Sequence, residues 1–394
     1  MALQLTDILA EVKEKNRNST TGALDDTKRT RAINRILGDL QDFADWEFTK
    51  RNKIFYFIDG VSEYSLENHV DTTCQDNDGS TSISDFKNPH DIRPDGDKSL
   101  DYKEAKAVRE NIRRNKFIKE YAIDGDTLIL GYPRQISAQL HNCDSLTANG
   151  TWAASGDASN LIIDTQEYEE GNGALNFDSA GTSLILTNST LSSKDLTSLQ
   201  NKSHITIKVE LPSIANFTSI AIRWGSSASA YWEKTETLPA ASQALKVGRN
   251  TFAFRWADAT ETGSPDVSAV NYMRIVLTYS ASLIDTDFRV DDIRIGKEVE
   301  MNLDYFSLAM VKDAAGDYQL EFNPDSVTMT DTLLGDARRC VVQGSVYELY
   351  EILGGKSERD RTDSFKLYEQ TRMNLFKRSG HRLRRSSRVL NFAR

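Results

Sequence analysis

Chemistry in this chain would have to come from five histidines, three cysteines and its scattered acids. No two of His69, His90, His141, His204 and His381 stand four apart, and no H-E-x-x-H occurs. G-x-S-x-G, phosphate-loop and G-x-G-x-x-G patterns are also missing, so no nucleophile elbow or nucleotide cradle is encoded. The adjacent acids Glu169-Glu170 and Asp291-Asp292 sit in β-rich sequence. A glycosidase pair would need a second carboxylate across a cleft. Asp76-Asn-Asp-Gly-Ser80 starts like a calcium loop, but it lacks the alternating ligands and the distal glutamate. Cys74, Cys143 and Cys340 are far apart, with neither metal spacing nor a disulfide framework, which suits a reducing compartment. The expectation is a protein that is not an enzyme and requires no cofactor.

Binding chemistry is better represented. Trp152, Trp224, Trp232 and Trp256 are spread through one β-rich stretch. Trp256 alternates with Phe252 and Phe254, which puts all three on one strand face, the core side. Tyr231 and Trp232 follow the Gly225–Ala230 run, so Trp232 is the best exposed candidate for stacking on a sugar. Packing in the core or at the rim is the plainer reading of it. The C-terminus carries a second signal. From Thr371 onward there are eight Lys or Arg and no Asp or Glu. Arg382, Arg384, Arg385 and Arg388 alternate with Leu383, Val389, Leu390 and Phe392. The arginines suit phosphates or an acidic groove, and the apolar anchors favour docking on a protein.

The elements that must position these residues follow from periodicity. Leu5, Ile8, Leu9 and Val12 mark a short helix, and Ile33, Ile36, Leu37, Leu40 and Phe43 a longer one. Asp59-Gly60 between Lys53–Ile58 and Val61–Leu66 predicts a hairpin, as does Asp124-Gly125-Asp126 between 117–123 and 127–130. Residues 67–101 read as a long loop and 102–114 as a charged helix. From 142 to 296 short alternating runs recur about every ten residues, the spacing of a β-sandwich. Two helices, about 332–353 and 359–378, precede the basic tail, and the 26–46 helix is their expected core partner. The sandwich therefore reads as an insertion that splits a host domain.

Two resemblances join these readings. Asn34-Arg35, Asp45-Trp46-Glu47-Phe48, Gly60-Val-Ser-Glu-Tyr-Ser-Leu66, Gly131-Tyr132-Pro133, Asp331-Thr-Leu-Leu and Gly344-Ser-Val-Tyr-Glu-Leu-Tyr350 occur in this order. Together they resemble the head-to-tail connector adaptor (gateway) proteins of tailed bacteriophages, with Glu67 where proline is usual. Gly150-Thr-Trp152, Tyr168–Phe177 and Asp287-Phe-Arg-Val-Asp-Asp-Ile293 resemble carbohydrate-binding-module-like jelly rolls. That second resemblance implies a structural Ca2+ on Asp144, Asp291 and Asp292, against two acids simply solvated at the sandwich rim. The first implies that the C-terminal segment docks on the portal ring.

The expected fold class is α+β: a mainly helical adaptor body with β-hairpins, interrupted by an all-β jelly-roll sandwich. Its expected domains are 1–141 with 297–379, an inserted 142–296, and a docking tail 380–394. The expected function is a structural ring of the phage neck, about twelve copies, bound to the portal protein and to a downstream tail or nozzle protein. DNA would pass through without sequence-specific binding, consistent with a net charge of −10. The expected localisation is the virion neck, after assembly in the host cytoplasm, with no membrane partner. The alternative is a carbohydrate-recognition or tail-fibre-anchoring protein that acts through the sandwich on a surface glycan.

Overall fold

The computed structural model describes residues 4–15, 26–66 and 86–378, apart from 95, 115, 117, 126, 133–136, 317, 327, 332, 334 and 354–357. Five helices occur among the described residues: α1 (Leu5–Lys15), α2 (Asp26–Phe43), α3 (Ala105–Arg113), α4 (Gly335–Leu353) and α5 (Glu358–Arg378). No helix among them is long and apolar enough to cross a membrane.

The expected mainly helical class is corrected. Among the described residues strand accounts for 45% and helix for 26%. The difference arises where short alternating runs were assigned to hairpins or loops. Phe86–Pro94, inside the expected loop, is a strand. It lies at the edge of a three-stranded sheet with Lys50–Phe57 and Val299–Ser307, the latter in the middle. An edge tolerates Pro89 and Pro94, which have no N–H to give to a ladder. Asp59-Gly60 does turn, with Gly60 at φ +84° and the Val61 N–H on the Ile58 carbonyl at 3.0 Å. The strands it joins then separate. Lys50–Phe57 stays in the three-stranded sheet, while Glu63–Ser65 pairs with Thr127–Gly131. Tertiary pairing overrides the local turn signal there. The hairpin at Asp124-Gly125 forms, with Asp124 opposite Thr127.

The chain divides into two compact units. One comprises residues 1–53, 75–91 and 303–394, the other 54–74 and 92–302. In the first, α1, α2, α4 and α5 share a core of Leu5, Ile8, Ile33, Ile36, Leu40, Val341, Leu349, Tyr368 and Leu375. The expected partnership of the second helix with the C-terminal pair is thus observed. Polar contacts fix its register. Asn34 accepts from the Phe322 N–H at 2.9 Å and donates to the Phe322 carbonyl at 2.8 Å. The buried Asp331 accepts two bonds from Arg338, at 2.6 and 2.7 Å.

The second unit is dominated by a β-sandwich built around one 26-residue strand, Tyr272–Lys297. Its first third pairs with Phe217–Ser227 on one side and the end of Ala174–Asn188 on the other. Its last third pairs with Ser203–Leu211 and Ser137–His141. Register shifts between Thr278 and Leu283 and between Asp285 and Phe288 mark where it turns from one sheet into the other. Trp152–Asp164, which pairs with Ala174–Asn188, makes a similar turn at Gly156 (φ +66°). There Asp157 accepts from the Thr182 and Ser183 N–H groups at 2.7 and 2.9 Å. Phe177, Phe288 and Tyr279 fill the interior at the corner, and Trp224, Trp232 and Trp256 fill the other end.

Gly344 sets how closely α4 approaches α2. A Cβ there would lie 2.8 Å from Ile36 Cγ2. Gly344→Leu should therefore destabilise the helical unit by about 1–3 kcal/mol through overpacking, read as a lower midpoint in urea unfolding followed by far-UV circular dichroism.

Candidate functional site

The outer face of the first sheet is the part of the sandwich that alternation turns away from the core. On Phe217–Ser227, Ile220, Ile222 and Trp224 point inward, so Ala221, Arg223 and Gly225 point out. Register then builds two rows across the sheet. Tyr231, Gly225 and Tyr272 form one. Glu233, Arg223, Arg274 and Thr187 form the other. The Tyr231 and Tyr272 rings are 6.5 Å apart across Gly225. A side chain at Gly225 would fall against the Ala230 carbonyl and Tyr231 Cα, so glycine is required there for the strands to come this close. The Arg223 guanidinium lies 4.6 Å from the centre of the Tyr231 ring and bonds Glu233 at 2.6 Å. Arg274, half-buried beside it, has a buried Nε with no hydrogen-bond partner among the described residues.

Trp232, weighed as a sugar-stacking candidate against packing in the core or at the rim, is not on this face. It is opposite Trp224 in register and 4% exposed. Its ring packs edge-on against Trp256 at 4.9 Å, and its Nε1–H donates to Glu261 at 3.2 Å. Neighbouring residues on a strand face opposite ways, so burial of Trp232 is what turns Tyr231 outward.

The acids expected to hold Ca2+ make hydrogen bonds and ion pairs within the sandwich. Asp144 Oδ1 accepts from the Asn172 and Gly173 N–H groups at 2.6 and 2.9 Å. Its Oδ2 accepts from the Asn142 amide at 2.6 Å. Asp291 accepts from the N–H groups of Glu169 and Glu170 at 2.7 and 3.0 Å, and from that of Asp292 at 2.7 Å. Asp292 pairs with Lys208 at 3.1 Å and with Arg294. The carboxylates thus pin the 165–173 loop over the second sheet. Among the described residues no group of three or more His, Cys, Asp or Glu is placed to hold a metal. Burial pushes Asp291 above the usual carboxylate range, against the pull of its three N–H donors. Burial, with the charges of these three acids, also raises the Cys143 thiol well above its ordinary value.

The second sheet's outer face is closed by ion pairs. Arg289 meets Asp164 at 2.8 Å, Glu167 at 3.1 Å and Glu210 at 3.4 Å. Arg249 and Lys208 both reach Glu169. The expected docking residues Arg382, Leu383, Arg384, Arg385, Arg388, Val389, Leu390 and Phe392 lie outside the described residues.

Sequence reading did not single out Arg223, Gly225, Tyr272 and Arg274. A signal was present in Ile220-Ala-Ile-Arg-Trp224. Its alternation assigns Arg223 to the outer face once the strand is recognised as half-buried.

No family model matches the chain, and no curated protein matches it. Among solved structures 97 chains match. The similar structures include carbohydrate-binding modules of the jelly-roll type. A family 30 carbohydrate-binding module is 12% identical with a TM-score of 0.32, covering 41% of this chain and 99% of its own. A family 30 module from a cellulosomal cellulase of Clostridium thermocellum is 14% identical with a TM-score of 0.29, covering 41% and 98%. The CBM22-1 xylan-binding domain of Paenibacillus barcinonensis Xyn10C is 13% identical with a TM-score of 0.26, covering 42% and 97%.

His141, buried at the start of the sandwich, gives the unit a pH dependence. The Cys143 N–H donates to its Nδ1 at 2.9 Å, and Trp152 Nε1 lies 3.1 Å from Nε2. Burial lowers its pKa from 6.5 to about 4. As pH falls, the unfolded chain takes up this proton first. The stability that depends on neutral imidazole is full above pH 6.5 and is lost as pH falls through about 4. The total is on the order of 3 kcal/mol. Urea unfolding between pH 7 and 4.5 should show this slope, and His141→Gln should flatten it.

Proposed function

We propose that the sandwich is a carbohydrate-recognition module and that its binding surface is the outer face of the first sheet. The observation that carries the reading is the Tyr231–Gly225–Tyr272 row beside Arg223, Glu233 and Arg274. Sugars are bound by an apolar ring face for the C–H surface and by fixed polar groups for the hydroxyls. The partly exposed Tyr231 offers the ring face, with the buried Tyr272 packed beside it, and Arg223, held in place by Glu233 and by the Tyr231 ring, offers the polar group. The sandwich's sequence resemblance to jelly rolls of the carbohydrate-binding type supports the same reading. Tyr231→Ala should abolish retardation of the intact chain in polysaccharide-containing native gels while leaving its thermal unfolding close to unchanged. Trp232→Ala should instead lower stability by about 3–5 kcal/mol, the range for emptying a core aromatic site. Equal polysaccharide binding by the wild type and Tyr231→Ala would refute this surface.

A second reading, the ring-forming connector of a phage neck, concerns the helical unit. It rests on the resemblance of the flanking sequence and is favoured by one observation on α5. Phe365, Leu367 and Met373 are 43%, 45% and 42% exposed around that helix. A helix apolar on several sides is one that other chains cover. On this reading, light scattering of the chain mixed with its portal protein should report a ring assembly, and a persistent monomer would sink it.

A further inference from the structure

Arginines on the two outer faces are treated differently. On the second sheet, Arg249, Arg289 and Arg294 each have at least one carboxylate within ion-pair distance. On the first sheet Arg223 has Glu233, but Arg274 has no carboxylate and no hydrogen-bond partner among the described residues. It is directly opposite Arg223 in register, with Thr187 on its other side. Two guanidinium groups facing each other across a ladder repel. One glutamate cannot neutralise both. The row thus carries a net positive charge on a chain whose overall charge is −10.

We infer that Arg274 receives the carboxylate of an acidic sugar, and that the ligand is a uronate-bearing glycan. This rests on the carbohydrate reading of the same sheet face. A guanidinium presents a planar two-pronged donor that matches a carboxylate, and the bond is charge-assisted. Tyr231 stands in the adjoining row, across the bare backbone of Gly225 from Tyr272. A pyranose ring lying over Tyr231 therefore has its substituents directed at the arginine row. A neutral sugar would use the Tyr231 ring but leave Arg274 uncompensated. The acid supplies what the fold lacks.

The test uses the intact chain in native gels containing polygalacturonate, its carboxyl-reduced neutral counterpart, or dextran sulfate. Polygalacturonate should retard the wild type, and the reduced polymer should not. Arg274→Gln should weaken retardation about 10–100-fold, the worth of a charge-assisted bidentate contact. Arg274→Lys, which keeps the charge but not the fork, should fall between. Tyr231→Ala should also weaken it, while Lys246→Gln, an equal change of charge at an exposed position, should not. If Arg274→Gln does not fold, the Lys variant and Tyr231→Ala carry the test. Equal retardation by the neutral polymer with no effect of Arg274 would overturn the acidic ligand and leave carbohydrate binding standing. So would dextran sulfate binding insensitive to Arg274, together with indifference to polygalacturonate. Failure to bind any polysaccharide would overturn both.

Discussion

The backbone ladder of one strand holds the sandwich together. Tyr272–Lys297 hydrogen-bonds to four other strands, the incoming Ser137–His141 strand among them, and runs through both sheets. Its N–H and C=O groups would be costly to leave unpaired in the interior, so the positions of its neighbours are fixed by where its ladder continues. The bend at residues 278–288 then sets the corner of the sandwich, and Phe177, Tyr279 and Phe288 fill the space that the bend encloses. A strand long enough to serve two sheets makes the two outer faces parts of one object rather than separate surfaces.

Those faces differ in how charge is disposed. Over the second sheet, the 165–173 loop brings Glu167, Glu169 and Glu170 down onto Lys208, Arg249, Arg289 and Arg294, while Asp144 and Asp291 hold the loop's own amides. Charges there are spent on structure. On the first sheet's outer face Arg223, Arg274 and Tyr231 are partly exposed, while Tyr272 beside them is buried. Loop placement, more than residue content, separates a closed face from an open one.

Much of this was legible in the residues. The alternation of Phe252, Phe254 and Trp256 identified a buried face, and the strand spacing of the sandwich was readable, although its strand Ser137–His141 lies before the expected start at 142. The pairing of α2 with α4 and α5 followed from apolar stripes that had no other partner. What escaped reading depends on long-range partners. Asp59-Gly60 is a sound turn, but nothing local says that the strands after it diverge. Tyr231 and Trp232 necessarily face opposite ways, yet only the register with Trp224 decides which one is inside. For Asp291-Asp292 the sequence left a Ca2+ pair and a solvated pair both open, because the Glu169 and Glu170 amides and the Lys208 cation that meet it lie more than eighty residues away in the chain. Proportions of helix and strand were misjudged for the same reason. Phe86–Pro94 is poor in apolar residues and becomes a strand through its neighbour in the sheet.

The neck of the sandwich has a mechanical consequence. The chain comes in along Ser137–His141 and leaves along the last residues of Tyr272–Lys297, and these segments are antiparallel neighbours, with Ser137 opposite Gly296. Both chain ends therefore emerge at the same end of the pair. A pull on the two ends loads the ladder one rung at a time, as a zip opens, rather than all rungs together. A module anchored this way yields at its base under low force while its far face, with Tyr231 and Arg274, is still folded.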